Sequence, residues 1–260
     1  MKFIPKQLNQ SRDNSRGKAK IKDWVKGLAS IALILVLGYL LLGLIADGVA
    51  SSISEETEVN LFQWIDVGEV PADNEQFVRA QLIFERLTKL EGLRPLPYRL
   101  ALFDAPMPNA FALPGGLVCV TSELLNELDS DIGLAFVLAH ELGHHQHRHV
   151  LKRLGRTLLQ RIVVSWISGQ GDMMLLNNGV ALASLSYSRN QEYEADYFGL
   201  NLVHQAYGTT DGAYQFFEQM LRVHGHGSHL ENMLQTHPLT EDRIERLEEI
   251  AGQLEPSSKL

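Results

Sequence analysis

Between Gly27 and Ala46 the chain reads GLASIALILVLGYLLLGLIA, twenty residues without a charge. At the helical rise such a run reaches about 30 Å, the thickness of a bilayer's hydrocarbon core, and it shows no polar face to turn toward water. The pattern predicts a membrane-spanning helix over 27–46. A cleaved signal peptide is the alternative. Its apolar stretch is usually about 7–15 residues behind a short basic start. Here the run is longer and follows a 26-residue leader, although Gly48-Val49-Ala50 offers a weak cleavage site. An uncleaved anchor is the expectation.

Downstream the apolar period changes. Asp73 with Gln76 forms a helix-capping pair, Phe77, Ala80, Phe84 and Leu87 recur at helical spacing, and Gly92 ends the run. Three short extended stretches follow, Tyr98–Phe103, Asn109–Leu113 and Leu117–Thr121, separated by Pro106, Pro108 and Pro114-Gly115-Gly116. Prolines and glycines in those positions suit tight turns and predict a small antiparallel sheet. From Ser122 onward the pattern is helical, with candidate helices over 131–153, 156–168, 173–186, 189–206, 211–224 and 240–254. Residues 162–187 are moderately apolar, but Gly169, Gly171, Asp172, Asn177 and Asn178 interrupt them, so they are read as soluble or membrane-grazing and not spanning. The expected fold class is α+β, a mainly helical domain with a small antiparallel sheet behind a single transmembrane helix. The expected organisation is a basic cytoplasmic tail over 1–26, the span over 27–46, a linker over 47–72, the folded domain over 73–254 and a short tail over 255–260. There is no internal repeat.

Charge fixes the orientation. Residues 1–26 hold eight Lys/Arg and two acids, 27–46 hold no charge, and the remainder holds 15 basic against 29 acidic residues, a balance of −14. Eight acids precede Arg79, the first basic residue after the span. The excess of Lys and Arg on one flank places the N-terminus in the cytoplasm and the domain outside it, on the periplasmic side of the inner membrane in a Gram-negative cell. A strongly acidic domain also excludes nucleic acid as a partner, because affinity for phosphates comes from Lys and Arg. The single cysteine, Cys119, lies in the apolar run Leu117–Val120 and is read as a buried small hydrophobe.

The chemistry sits in His140-Glu141-Leu142-Gly143-His144, an H-E-x-x-H within a strongly apolar helix. Residues four apart on a helix differ by about 40° around its axis, so both imidazoles point to one side and can share a metal. Glu141 can reach a water at that metal without binding it, as a general base. Zinc suits two imidazoles and a carboxylate with a fourth position open. Burying two His and a Glu without partners is costly, and a metal supplies the partner. A third ligand is needed. The spacing of a further His six positions on is not met, since Val150 stands there and His147 stands where a Gly would be. Glu192 and Asp196, four apart on a candidate helix, share a face with the small residues Ala195 and Gly199, while Glu194 points nearly the opposite way. Glu192 is the chosen ligand and Asp196 the acceptor that orients a ligand imidazole. A solvated helix face is the plain alternative for both.

At these residues the chain resembles the gluzincin zinc metallopeptidase family that includes the bacterial protease HtpX and the CAAX prenyl endopeptidase. The resemblance is carried by Pro108-Asn109-Ala110-Phe111-Ala112-Leu113-Pro114-Gly115-Gly116, by the H-E-L-G-H-H stretch at 140–145, by Ser188-Arg189 through Glu192 to Ala195-Asp196, and by Thr236-His237-Pro238-Leu239 with Arg243. It covers roughly residues 75–250. It implies a zincin-like domain with one zinc ion per chain, His140, His144 and Glu192 as ligands, Glu141 as catalytic base and Asp196 as the second carboxylate of an E-x-x-x-D signature. It also implies that Asn109, Ala110, Phe111 and Ala112 form the strand that lines the substrate cleft, where an extended peptide can add by main-chain hydrogen bonds. The chain differs from HtpX in having one clear membrane helix.

His237 and Arg243 are candidates for stabilising a transition-state oxyanion. The alternative is that Thr236-His237-Pro238 merely turns the chain into the last helix. His145, His147 and His149 are read as surface or supporting residues, and His224, His226 and His229 as a loop cluster. The expected function is a membrane-tethered zinc endopeptidase acting on extended or misfolded envelope polypeptides. The rival is a catalytically silent, zinc-stabilised peptide-binding chaperone or adaptor, which would have no need of Glu141.

Overall fold

The computed structural model describes residues 21–65, 74–103, 105–168, 186–215, 217, 236–238 and 240–255. The chain divides into two compact units, Met1–Leu44 and Ile45–Leu260. Helix α1 (Ile21–Ser52) accounts for the described part of the first unit, with its Leu, Ile and Val side chains exposed from Val25 to Leu44. Among the described residues it is the one helix long and apolar enough to cross a membrane.

The second unit carries α2 (Glu55–Phe62), α3 (Glu75–Thr88), β1 (Arg99–Phe103), β2 (Ala110–Leu113), β3 (Leu117–Thr121), α4 (Ser122–Glu127), α5 (Asp131–Gln146), α6 (His149–Ser168), α7 (Arg189–Tyr207) and α8 (Glu241–Leu254). The stretch expected as a linker contains α2. Ser54 caps it by accepting from the Thr57 N–H, and Glu58 is buried, accepting from Arg94 Nη2 at 2.8 Å and from the Gly115 N–H at 3.1 Å. A buried carboxylate bonded to a guanidinium and a backbone amide ties this segment to the turn between β2 and β3. The cap of α3 is Asn74, which accepts from the Phe77 N–H at 2.9 Å. Asp73 lies outside the described residues.

The sheet is mixed, which corrects the antiparallel expectation. Its order is β1-β3-β2, with β3 antiparallel to β2 and parallel to β1. The turn at Pro114-Gly115-Gly116 makes the β2–β3 hairpin, and both glycines take left-handed backbone angles, φ 83° and 85°. β3 then enters between its two predecessors instead of extending the sheet outward. β3 is buried along its whole length, β1 is a partly exposed edge, and β2 is the other edge although every residue of it is buried.

Helix α5 runs through the core, buried at every residue from Gly133 to His145. The helix expected over 131–153 is in fact two. His147 caps α5 and Arg148 turns the chain with a left-handed φ of 56°, so α6 leaves in a new direction. The expected helix over 173–186 lies almost wholly outside the described residues, and of that over 211–224 only 211–215 and 217 are described. α7 crosses α5 at glycines on both sides. A Cβ at Gly143 would meet Ala195 Cα at 2.9 Å, and one at Gly199 would meet the His140 backbone nitrogen at 3.1 Å. Without side chains at the crossing the two backbones approach far enough for α5 and α7 to present groups to one point.

Candidate metal centre

Two helix starts and the middle of a third helix aim the site. Ser188 caps α7 in a reciprocal pair with Gln191, each side chain accepting from the other's backbone N–H, which sets Glu192 in the first turn. Thr240 caps α8 by accepting from the Arg243 N–H at 3.3 Å, which sets Arg243 in the first turn there. The middle of α5 supplies His140, Glu141 and His144, all buried.

One ligand atom from each of His140, His144, Glu192 and His237 lies within 4.8 Å of the others. His140 Nε2 is 3.1 Å from His144 Nε2 and 3.5 Å from Glu192 Oε2, and His144 Nε2 is 3.5 Å from Glu192 Oε1. His237 joins through Nδ1, 3.2 Å from His140 Nε2 and 3.3 Å from Glu192 Oε1, while its Nε2 is 3.3 Å from Glu141 Oε1. The candidates of the sequence therefore meet at one place. His237 stands among the metal donors, closer than a role confined to turning the chain requires.

The groups behind the donors are equally specific. Asp196 Oδ1 accepts from His140 Nδ1 at 2.9 Å, which leaves Nε2 to face the cluster. Arg243 binds Asp196 with Nε and Nη2 at 2.5 and 2.8 Å, and its Nη1 is 2.7 Å from Glu192 Oε2. Arg243 is thus committed to the two carboxylates and lies behind the ligands. His144 Nδ1 meets His149 Nδ1 at 3.0 Å, and His149 Nε2 donates to Glu194 at 2.8 Å. Tyr187 stacks flat on the His144 ring at 3.6 Å, with Arg153 over the Tyr187 ring at 3.9 Å. The Tyr187 N–H donates to Thr236 O at 3.1 Å, joining the start of α7 to the segment that carries His237.

The electrostatics fit a cation. Burial pushes the Glu192 carboxyl up, but Arg243 and His237 beside it prevail and hold it well below the usual carboxylate range. Asp196 follows the same logic, lowered by Arg243 and His140 against the effect of burial. Burial disfavours a proton on His140, yet its bonds to Asp196 and Glu192 raise it to about 9, while burial and neighbouring His140 drive His144 well below its ordinary value. The carboxylates of Asp196 and Glu192 thus favour positive charge at His140. Both carboxylate oxygens of Glu141 lack a hydrogen-bond partner although buried, and those of Glu192 are faced by Arg243 and the imidazole nitrogens. Buried anionic oxygens without hydrogen-bond partners, converging with imidazole nitrogens, are what a divalent metal satisfies.

Glu194 and Tyr187 were not foreseen as parts of the site, whereas His149, read as a surface or supporting residue, takes the supporting place. Glu194 does lie off the Glu192–Asp196 face, yet it reaches α6, whose direction depends on the break at Arg148. Tyr187 stands immediately before the Ser188 cap, and that adjacency was the available signal. His145, buried, meets Leu117 O at 3.1 Å through Nε2, so it fastens α5 to β3. Half-buried His147 stacks on His149 at 5.4 Å. His224, His226 and His229 lie outside the described residues.

A helix bearing H-E-x-x-H, crossed by a second helix that supplies a carboxylate, defines a metallopeptidase-type centre. Residues 74–251 match peptidase family M48, and the chain belongs to that family. It is 35% identical over 173 residues to mitochondrial metalloendopeptidase OMA1 of Schizosaccharomyces pombe, a match covering 64% of this chain and 50% of that protein. The Arabidopsis thaliana protein of the same name is 34% identical over 163 residues, covering 61% and 32%. The beta-barrel assembly-enhancing protease of Escherichia coli K12 is 28% identical over 173 residues, covering 62% and 36%. The matched region thus spans half or less of the length of these relatives.

Proposed function

We propose that the chain is a membrane-anchored zinc endopeptidase. The observation that carries this reading is the meeting of the His140, His144 and Glu192 donor atoms beside a buried Glu141 carboxylate with no hydrogen-bond partner. Those three residues would hold the ion. Zinc bound there supplies Lewis acidity, which acidifies water and polarises a carbonyl. Glu141 takes the proton of the attacking water and returns it to the leaving amine. Asp196 keeps His140 in the tautomer that offers Nε2, and His149 with Glu194 does the same for His144. His237, whose Nε2 is 3.3 Å from Glu141 Oε1, would donate to the developing oxyanion and leave the three other donors to hold the ion.

Substrate enters as an extended strand beside β2. The Thr121 N–H bonds Asn109 O at 3.0 Å, which marks Asn109–Thr121 as a hydrogen-bonded pair. In the alternation of an antiparallel ladder, Ala110 and Ala112 then turn their N–H and C=O groups away from β3, toward the side of β2 where no strand is paired among the described residues. Asn109, Ala110, Phe111 and Ala112 would align the peptide once the cover that buries β2 in this structure moves aside. The anchor over 27–46, with its basic flank inside, places the domain on the outer face of the membrane. The substrates are exposed or misfolded segments of envelope proteins, a reading supported by the beta-barrel assembly named in the bacterial relative. The test is hydrolysis of unfolded casein by the purified full chain in detergent. Activity lost on chelation and restored by zinc supports the reading, and activity that persists in metal-free protein refutes it.

A further inference from the structure

The residues matched to the peptidase family begin at 74, yet a carboxylate from before them reaches into the domain. Glu58 stands on α2 and is buried, and its two oxygens have different partners. Oε1 accepts from the Gly115 N–H at 3.1 Å, and Oε2 accepts from Arg94 Nη2 at 2.8 Å. Arg94 carries the connection on to the metal helix. Its Nη1 donates to His145 O at 2.9 Å and its backbone N–H to Gln146 Oε1 at 2.9 Å, both in the last turn of α5. Glu55, earlier on α2, accepts from Arg94 Nε at 3.2 Å and from Arg148 Nη2 at 2.8 Å.

Two parts of the site meet through Glu58. Gly115 sits in the turn where β2 ends, and His145 follows the ligand candidate His144. The path from one to the other, Gly115–Glu58–Arg94–His145, runs through three hydrogen bonds. A separate bond, from His145 Nε2 to Leu117 O at 3.1 Å, secures the β3 side of the same hairpin. The turn also has an apolar neighbour, since a Cβ at Gly115 would lie 3.6 Å from Phe62 Cβ. Apolar attraction keeps the hairpin near but gives it no register, because it has no direction. Hydrogen bonds between ionised groups are directional, and side-chain exposures of 9% for Arg94 and 1% for Glu58 shield this one from water.

We propose that Glu58 is a positioning residue of the peptidase site, one that sets the offset of β2 from the metal helix. This rests on β2 as the strand that aligns substrate, and it adds a residue on α2 that touches neither peptide nor metal. Without the carboxylate, the Gly115 N–H loses its acceptor and Arg94 loses its buried counter-charge. The peptide must then bring the hairpin into register itself, and part of its binding energy goes to that ordering. The ordering is the same for bound substrate and for the transition state, so it raises KM and leaves kcat unchanged.

The test is steady-state cleavage of a fluorogenic decapeptide by the zinc-loaded full chain in detergent, for wild type, Glu58→Ala and Glu58→Gln. Folding is checked by circular dichroism, zinc is counted, and inhibition by acetohydroxamate, which meets the metal alone, is measured beside it. Expected for Glu58→Ala is a KM about tenfold higher, the order of one or two main-chain hydrogen bonds. Its kcat, zinc content and inhibition by acetohydroxamate should match wild type. Glu58→Gln keeps an acceptor for the Gly115 N–H and should show a smaller rise; it decides the matter alone if Glu58→Ala does not fold. A KM unchanged from wild type overturns the proposal. So does a loss of kcat and zinc together, which would make Glu58 a residue of the fold only. A zinc-loaded wild type that cleaves nothing removes the peptidase reading itself, and the proposal with it.

Discussion

His149 stands with Nδ1 3.0 Å from Nδ1 of His144 and donates from Nε2 to Glu194 at 2.8 Å. The pair holds His144 as Asp196 holds His140, from behind the nitrogen that faces the cluster. Removing such a partner typically lowers metal affinity about 10–100-fold. Glu194→Gln and His149→Ala are each expected to weaken zinc binding by that order, measured by competition with a chelating dye. Unchanged affinity in both variants contradicts the role given to them.

Arg243 is the buried counter-charge of both Glu192 and Asp196. Removing one partner of a buried ion pair strands the other, at a cost of about 3–5 kcal/mol. Arg243→Leu is therefore expected to unfold at a markedly lower temperature than wild type. Added zinc should recover part of the loss, because it compensates Glu192. A variant as stable as wild type argues against this arrangement.

At Gly143 any side chain meets the backbone of α7, with Ala195 Cα 2.9 Å and Ala195 O 3.0 Å from an added Cβ. Gly143→Ala must push the helices apart. Overpacking of this kind costs about 1–3 kcal/mol, and the same displacement draws Glu192 away from His140 and His144. Reduced zinc content in a protein that still folds by circular dichroism is the expected result. Gly252→Ala, with nothing within 4 Å of the new Cβ, is the control.

The Cys119 thiol is fully buried, and burial, with Glu141 nearby, pushes it up to about 12. Only the thiolate is reactive, so iodoacetamide at neutral pH is expected to leave folded protein unmodified and to alkylate it fully once denatured. Mass spectrometry distinguishes the two.

Much of this site was legible because its parts are set by local spacing. His140 and His144 share a face by helical period alone, and Glu192 and Asp196 share another with Ala195 and Gly199, the small residues that let the helices meet. The long apolar helix α1 was equally plain, since twenty uncharged residues in a row favour one continuous helix. Less legible were features decided by direction. One residue, Arg148 with its left-handed φ of 56°, splits the long helix expected over 131–153 and sends α6 where His149 can face His144. The order of three strands rests on the parallel pairing of β1 with β3, strands that are not neighbours in sequence, a tertiary property that alternation does not encode. The buried bonds of Glu58 to Arg94 and Gly115, 36 and 57 residues away, have no local signature either.

The central claim assigns different tasks to two neighbouring groups, a proton carrier in Glu141 and a metal donor in Glu192. It is tested most directly by counting zinc and measuring casein hydrolysis in full-length wild type, Glu141→Gln and Glu192→Ala under one set of conditions. The account predicts that Glu141→Gln keeps its zinc and loses cleavage by several orders of magnitude, whereas Glu192→Ala loses both. Cleavage retained in Glu141→Gln, or full zinc occupancy in Glu192→Ala, would contradict it.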